Sequence, residues 1–357
     1  MANGTSGTSA RRRSALGVLV VLAAMGAALL APAAASAAPR PFSICIQMGG
    51  QAGPEIAGAM AVWTDNRNGN LDIYGKDLST ARPDIAICTN GAQQDNPSVT
   101  RYVTAGKVHY VAVWVDKRNH PSGESSDIYG RDVTTGERFK VAGGATIKWY
   151  PEIVDDWVIW VEADDAAGPY SVKARDLGAG TTYKLATSDV LSPVGIDRRT
   201  VGTRTVYTAV YTSGKGNISG RNVPNGAPFI ISQRSTFEWM PDISHNRVVW
   251  WESGGRVMMR DLKTQRRTFV HNGSRPRIDG ESVTWDGGGH GGEFVISYVG
   301  GAKIYVRNVV RSTSVVAIAQ KDLTCLFPSI SGHRVVWESG PAQRVLSHIH
   351  IYGAQVR

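Results

Sequence analysis

Cysteine is scarce in this chain, and regular metal-ligand spacing is missing. Only three cysteines occur in 357 residues, Cys45, Cys88 and Cys325, so they cannot all pair, although an exported protein would permit a disulfide. Cys45 and Cys88 each lie nine residues before a repeated proline, which gives them the same position in two adjacent repeats. We expect such positions to be too far apart for a disulfide, which tolerates roughly 7 Å between Cα atoms. The sequence therefore predicts buried free thiols.

The short motifs of several enzyme classes are also absent. No nucleophile elbow of the G-x-S-x-G kind and no H-x-x-E-H metal motif occur. The glycine-rich run at 287–292 lacks the lysine and the following helix of a phosphate-binding loop. Basic residues are dispersed instead of forming a stripe, which argues against nucleic-acid binding. The sequence indicates no cofactor and no metal.

Acidic residues are missing from residues 1–37, which carry Arg11 to Arg13, an apolar run from Ala15 to Leu30 and the small residues Ala35 to Ala37. This pattern predicts a secretory signal peptide cleaved after Ala37, with a retained N-terminal anchor as the alternative. We expect a secreted, extracellular, monomeric protein with one domain over residues 38–357 and no membrane span after cleavage. Without the signal the chain has 36 basic and 30 acidic side chains, a net charge of +6, which favours anionic wall polymers or acidic polysaccharides as partners.

A repeat runs through the rest of the chain. Seven prolines are each followed by an apolar-alternating stretch and an aromatic residue, and in five repeats the aromatic lies nine residues after the proline. A basic residue then precedes an Asx residue near the end of most units, which places one cation per unit around the outside. The prolines are Pro54, Pro97, Pro151, Pro193, Pro241, Pro276 and Pro328, and the aromatics are Trp63, Trp114, Trp160, Tyr211, Trp250, Trp285 and Trp337.

Period-2 alternation bounded by Gly, Asn and Asp marks four short strands in each unit. A period of roughly 35 to 55 residues built from short strands is typical of a propeller. The last unit lacks a fourth strand, and residues 41–46 resemble the strand at 83–88. We therefore predict an all-β, seven-bladed β-propeller in which the N-terminal strand completes the last blade. We expect each proline at the first position of an inner edge strand and each aromatic between blades.

The first unit carries Ala61-Val62-Trp63, then Asp65, Arg67-Asn68-Gly69-Asn70, Asp72-Ile73-Tyr74-Gly75 and Asp77-Leu78. In these residues the chain resembles the TolB-like, WD40-like propeller repeats of bacterial periplasmic and archaeal cell-surface proteins. The resemblance covers nearly all of residues 41–357, is closest in unit one and erodes after unit two. It implies a propeller outside the cytoplasm that binds or scaffolds, although TolB has six blades. It fixes no ligand, because propellers host unrelated functions.

A candidate ligand face is predicted where the segments before the repeat prolines meet. Aromatic residues stand there, and polar residues that follow the prolines should line the channel mouth; exposed aromatics beside carboxylates and an arginine suit a carbohydrate or a peptide end. A channel that is merely solvated is the alternative. The candidate ligand residues are Trp149, Tyr150, Trp239, Phe327, Glu55, Glu152, Asp242 and Arg277, and Ser98, Val194 and Ser329 occupy the same position after their prolines.

Two further functions remain open. A polysaccharide lyase or glycosidase on the same scaffold would use His120, His290, Tyr150 and Arg277 as candidate acid, base and charge neutraliser. A purely structural cell-surface module needs none of them. The loop from Asp65 to Asp72 looks like a degraded calcium site, but Arg67 stands where an acidic ligand belongs. We expect Arg67 to bridge Asp65 and Asp72 instead. The favoured function is binding of an extracellular polysaccharide, a cell-wall polymer or a protein through the channel-mouth face.

Overall fold

Seven antiparallel sheets of four strands each make up the described part of the chain. The structure is a computed structural model that describes residues 39–287, 302–311, 314–318, 323–341 and 348–356. The sheets are the blades of a β-propeller, so the predicted all-β, seven-bladed fold is confirmed. The predicted signal peptide at 1–37 lies outside the described residues.

Each blade begins with its inner strand at the channel and proceeds outward, except that the first strand of the chain belongs to the last blade. Strand β1 is Phe42–Cys45. The strands of blades 1 to 3 are β2 (Gln51–Ala57), β3 (Met60–Asp65), β4 (Asp72–Asp77) and β5 (Ile85–Cys88); β6 (Gln94–Thr104), β7 (Lys107–Asp116), β8 (Asp127–Asp132) and β9 (Arg138–Ala142); and β10 (Ile147–Val154), β11 (Trp157–Ala163), β12 (Tyr170–Asp176) and β13 (Thr181–Ser188).

Blades 4 to 7 follow the same plan. Their strands are β14 (Gly195–Val201), β15 (Arg204–Ser213), β16 (Asn217–Val223) and β17 (Pro228–Ser232); β18 (Glu238–Ser244), β19 (Arg247–Glu252), β20 (Arg256–Asp261) and β21 (Arg267–Asn272); β22 (Ser274–Asp279), β23 (Ser282–Asp286), β24 (Ile304–Asn308) and β25 (Val316–Ile318); and β26 (Thr324–Ser331), β27 (Arg334–Gly340) and β28 (His350–Gln355).

The ring closes through the N-terminal strand. β1 pairs with β28, with Phe42 opposite Gly353 and Cys45 opposite Ile351, and it is the outermost strand of blade 7. Without β1 the blade would have three strands and an open edge. The predicted closure is therefore confirmed.

In six blades the repeat proline lies inside the inner strand, and in blade 4 Pro193 lies two residues before β14, so the prediction that each proline occupies the first strand position is wrong. Strand β2 begins three residues before Pro54. In six blades the residue before the proline has a φ of 49 to 57°, and the pairing register shifts there, as at a β-bulge. A bulge accommodates proline because it interrupts the ladder where the ring nitrogen has no hydrogen to donate.

Blade 4 differs, because the pairing of β14 with β15 shows no register shift. Gly195 pairs with Val210, which is the place that Glu55 takes opposite Val62 in blade 1. Val194 is only 1% exposed and belongs to the packing between blades 3 and 4. The prediction that Val194 lines the channel is therefore wrong by one residue, and Gly195 takes its position.

The repeat aromatics fill the spaces between neighbouring blades, as predicted. All seven are at most 2% exposed, and each belongs to a different apolar cluster. In the first three blades the indole N–H donates to the acid two residues later: Trp63 to Asp65 at 2.9 Å, Trp114 to Asp116 at 2.9 Å and Trp160 to Glu162 at 2.7 Å. Burial and this hydrogen bond assign the aromatics to packing.

The repeated cation near the end of the third strand joins blades. In five blades its side chain crosses to the outer strand of the preceding blade and donates to a backbone carbonyl there, which we call the seam bond. The seam bonds run from Lys76 to Ile44, from Arg131 to Ala86 and Ile87, from Arg221 to Leu185, from Arg260 to Ile231 and from Arg307 to Val270.

The three cysteines are buried and form no disulfide with one another. Burial raises the pKa of Cys45 to about 12 and also raises the pKa of Cys88, so both are protonated thiols at neutral pH. No helix among the described residues has the length and hydropathy needed to cross a membrane.

Closure by β1 predicts unequal effects of two nearby isoleucines. Ile44 is 4% exposed in the interface of blades 7 and 1, whereas Ile46 is 59% exposed. We expect Ile44→Ala to lower the free energy of unfolding by about 2–4 kcal/mol and Ile46→Ala by less than about 0.5 kcal/mol. Chemical denaturation of both variants measures the difference, and equal effects would show that β1 does not hold the ring together.

Candidate functional site

The polar residues that follow the repeat prolines converge inside the channel. Arg277 of blade 6 donates to Glu55 of blade 1 at 2.6 Å and to Glu152 of blade 3 at 2.9 Å. Its Nε lies 3.8 Å from a carboxylate oxygen of Asp242 in blade 5. One guanidinium thus meets three carboxylates from three other blades, and we call this set the channel hub. The predicted channel position of these four residues is right, but they bind one another.

Serines and backbone amides complete the channel hub. Ser98 donates to Glu152 at 2.8 Å, and Ser329 donates to Glu55 at 2.7 Å. Asp242 accepts the N–H of Ile278 at 2.8 Å, in the next blade. It fits beside Gly195, where an added Cβ would stand 3.1 Å from the Asp242 Cα and 3.2 Å from its carboxylate. The missing side chain in blade 4 makes room for Asp242.

The charge balance shifts the pKa values of the channel hub. Burial raises the pKa of Glu55 to about 7; Arg277 lowers it, and Glu152 raises it further. Burial likewise raises the pKa of Asp242 to about 6. Burial alone would lower the pKa of Arg277, but Glu152, Glu55 and Asp242 together raise it well above its usual range. The guanidinium stays charged, while Glu55 can take up a proton near neutral pH.

The four aromatics before the prolines lie in the inner strands β10, β18 and β26, and Trp149, Tyr150 and Trp239 are half-buried. The Trp149 ring lies edge-on to Tyr170, with 5.9 Å between centroids, and packs partly against the cluster of blades 3 and 4. Trp239 donates its indole N–H to the carbonyl of Leu191 at 3.0 Å. Phe327 is 38% exposed, and the Arg275 guanidinium lies 4.3 Å above its ring. Phe327 is therefore the most open of these aromatics, and Trp149 also serves packing.

A cleft of about 350 Å³, which was not predicted from the sequence, lies next to the segment that enters β18. Its lining includes Lys215, Asn217, Arg234 and Phe237. Phe237, 38% exposed, lies against Gly216, where an added Cβ would stand 2.6 Å from the ring. In the described part of the chain neither Lys215 nor Arg234 forms an ion pair. The signal in the sequence that could have indicated this cleft is Arg234 followed by Phe237, which lie shortly before Trp239 and outside the repeated positions.

The cleft and the mouth share one face. The turn between β15 and β16 and the segment before β18 form its two sides, joined by a 3.1 Å hydrogen bond from the Glu238 N–H to the Gly216 carbonyl. Two residues after Phe237 the chain enters the channel at Trp239. The cleft therefore lies between blades 4 and 5, two residues along the chain from Trp239.

The candidate catalytic residues are not joined by any contact among the described residues. His120 is held in its own loop, by Asp127 at 3.1 Å from Nε2 and by Ser125 at Nδ1. Burial raises the pKa of Tyr150, and the Asp95 carboxylate adds to the effect, so its hydroxyl stays protonated at neutral pH. Arg277 is occupied by the channel hub. His290 lies outside the described residues.

The loop with the degraded calcium pattern is held by hydrogen bonds. Arg67 donates to Asp65 at 2.6 Å and to Asp84 at 3.1 Å, so the expected bridge from Arg67 to Asp72 is wrong. Asp72 accepts the side-chain amides of Asn68 and Asn70 instead, because the turn brings these amides directly over it. The described residues contain no group of three or more His, Cys, Asp or Glu side chains placed to hold a metal ion.

The same arrangement occurs in blade 2, where Arg118 donates to Asp116 at 2.6 Å and to Cys88 at 3.2 Å and lies 4.2 Å above the Tyr129 ring. In blade 1, Arg67 donates to Cys45 at 3.0 Å and lies 4.1 Å above the Tyr74 ring. Repetition in two adjacent blades indicates a structural clamp. It also explains why both cysteines occupy the same repeat position.

Comparisons with known proteins support the fold. No protein-family model matches the sequence, and no curated protein matches it. The oligogalacturonate lyase of Vibrio parahaemolyticus is 10% identical, with a TM-score of 0.58 over 90% of this chain and 97% of that one. The propeller domain of the Trilobed protease from Pyrococcus furiosus is 12% identical, with a TM-score of 0.54 over 88% and 97% of the two chains.

TolB from Acinetobacter baumannii is 12% identical, with a TM-score of 0.48 over 75% of this chain. The matched part of this chain spans 62% of the length of that TolB. At these identities the likenesses establish the fold alone. The likenesses to the lyase and to the Trilobed protease domain confirm the expectation of a β-propeller at that level.

The raised pKa of Glu55 predicts a pH dependence of stability. Because the folded-state pKa of about 7 exceeds the ordinary 4.5, the folded state binds more protons between these values. Lowering the pH from 8 to 5 should therefore add about 2–3 kcal/mol to the free energy of unfolding through this group. Glu55→Gln should remove that gain.

Chemical denaturation at several pH values checks this expectation. The difference between the wild-type and Glu55→Gln curves isolates the group, and Glu137→Gln, at an exposed position, is the control. If Glu55→Gln keeps the wild-type slope with pH, the channel hub does not hold Glu55 in the way described.

The clamp predicts that Arg67→Ala lowers the free energy of unfolding by about 1–3 kcal/mol, because it leaves the buried Asp65 without its cation. Arg82→Ala, at an exposed position in the same blade, should have little effect. Thermal denaturation measures both. Added calcium should leave the wild-type melting temperature unchanged, and a large rise would identify the loop as a metal site after all.

Proposed function

We propose that this protein is an exported β-propeller that binds an acidic extracellular polysaccharide through its channel-mouth face. The observation that carries the proposal is the cleft beside Trp239, in which an exposed phenyl ring stands with two cations that have no ion-pair partner among the described residues. Cell-wall polymers of the same chemistry fall within the proposal. A protein partner and a purely structural role are the alternatives.

The chemistry of the cleft suits an acidic sugar chain. An aromatic ring offers a flat apolar surface for the face of a sugar, and cations attract its carboxylates. Lys215 and Arg234 stand with Phe237 in one cleft of about 350 Å³, a volume within the range of small-ligand sites. The neighbouring mouth adds half-buried Trp239. A chain that lies across blades 4 and 5 would meet the cleft first and the mouth next.

The channel hub favours a ligand on the face instead of inside the channel. Arg277 reaches blades 1, 3 and 5 from blade 6 and has its donors taken by carboxylates. A ligand carboxylate at this position would compete with three protein carboxylates. We therefore interpret the channel hub as the closed bottom of the channel mouth, so that a ligand would bind above it on the face.

Binding is favoured over catalysis by the position of His120. A lyase needs a base that reaches the sugar, whereas both ring nitrogens of His120 are engaged within its loop. The similarity to an oligogalacturonate lyase means that this scaffold is compatible with acidic sugars, but that likeness concerns the fold. Export rests on the signal-peptide pattern of residues 1–37, and the net charge of +6 for the remainder favours an anionic partner.

The proposal predicts that the chain 38–357 binds polygalacturonate but not neutral dextran, and that binding weakens as salt is added. Arg234→Ala and Phe237→Ala should each weaken binding by about 1–2 kcal/mol, or roughly 5- to 30-fold. Matched controls lie on another face: Arg266→Ala and Phe269→Ala, at exposed positions of blade 5, should leave the affinity unchanged. Calorimetric titration measures all four variants.

Three results would contradict the proposal. If dextran binds as tightly as polygalacturonate, charge does not determine the binding. If the control substitutions weaken binding as much as Arg234→Ala and Phe237→Ala, the cleft is not the binding site. Release of unsaturated sugar products during incubation would replace a binding function with a lyase.

A further inference from the structure

The seam between blades 2 and 3 lacks the bond that joins other blades. Arg175 occupies the repeat position of the seam-bond cations, and the matching carbonyls belong to Lys140 and Val141. Instead of crossing to them, Arg175 donates to Thr182 of its own blade at 3.1 Å. Among the described residues no side chain donates to those two carbonyls, and Arg175 forms no ion pair.

A cleft of about 410 Å³ lies at this seam, on the side of the ring. Lys140, Lys173 and Arg175 line it together with the carboxylate of Glu162 and the hydroxyl of Thr182. Glu162 pairs with Lys173 at 2.7 Å. The lining therefore carries three cations and one carboxylate; Arg175 forms no ion pair among the described residues, and Lys140 pairs only with Asp127, which does not line the cleft.

The position of Lys140 in the cleft depends on Asp127 and Gly143. Its ammonium lies 2.8 Å from Asp127, and an added Cβ at Gly143 would stand 2.5 Å from the Lys140 Nζ and Cε. The glycine therefore leaves room for the lysine to lie across the end of β9. Its side chain remains 45% exposed, so it is open to a second anionic partner.

We propose that this seam cleft binds a small oxyanion, a carboxylate, sulfate or phosphate group, between Arg175 of blade 3 and Lys140 of blade 2. A guanidinium offers paired N–H donors that match such groups, and the Thr182 hydroxyl lies beside it. The bound anion would connect the two blades where the seam bond is missing. This site is separate from the channel-mouth face, and it goes beyond the proposed function.

The test compares thermal unfolding of the chain 38–357 in sulfate, phosphate, glucuronate and sodium chloride at equal ionic strength. We expect a saturable rise in melting temperature with at least one oxyanion, since a ligand that binds only the folded state stabilises it. Arg175→Gln and Lys140→Gln should each raise the half-saturating concentration at least tenfold. The three oxyanion arms distinguish which group the site prefers.

Arg221→Gln is the matched control, because Arg221 makes the seam bond to Leu185 at 2.7 Å. Arg221→Gln should lower the melting temperature measured without oxyanion yet keep the response to oxyanion. Arg175→Gln should leave the melting temperature without oxyanion nearly unchanged and weaken the response. The proposal is overturned if no oxyanion exceeds chloride in a saturable way, or if Arg175→Gln keeps the wild-type response. It is also overturned if Arg175→Gln lowers the starting melting temperature as much as Arg221→Gln, because Arg175 would then act as an ordinary seam bond.

Discussion

The inner strand of every blade has one edge without a strand partner, and the channel is built around satisfying that edge. An unpaired buried N–H costs free energy comparable to a lost hydrogen bond. At three seams the residue after the repeat proline accepts the N–H of the next blade: Ser98 from Ile153, Asp242 from Ile278 and Ser329 from Ile56. The channel is polar because neighbouring blades must supply acceptors to one another.

Where the acceptor is a carboxylate, it brings negative charge into the channel, and this charge explains why an arginine, Arg277, lies there. With carboxylates from blades 1, 3 and 5 directed into a narrow space, burial raises the pKa of Glu55 and Asp242. A single guanidinium offsets part of that cost by contacting all three. Buried ion pairs of this kind are weak evidence for stability. The channel hub is better understood as a consequence of the unpaired edge of the inner strands. Asp242 accepts the N–H of Ile278, which an apolar residue at this position would leave unpaired.

Much of the fold could be predicted from the sequence because the repeat encodes it. The seven aromatics, the four-strand plan and the closure by residues 42–45 follow from periodicity and from a missing last strand. The bulge before the proline in six blades could not be predicted, since it depends on a positive φ at residues such as Tyr150 and Met240, whose side chains do not favour that angle. The slip from Val194 to Gly195 follows from the absence of that bulge in blade 4. Contacts such as that between Arg277 and Glu55, 222 residues apart, are set by ring geometry alone.

Net positive charge is a poor guide to the ligand site in this molecule, because most repeated cations are already engaged. Lys76, Arg131, Arg221, Arg260 and Arg307 donate to carbonyls of a neighbouring blade, and Arg67 and Arg118 clamp their loops. The exceptions are informative for that reason. Lys215 and Arg234 stand outside the repeated positions, and Arg175 occupies a repeated position without its usual contact. These three cations form no ion pair among the described residues, and both proposed ligand sites depend on them, so the proposed sites lie where the propeller departs from its regular repeat.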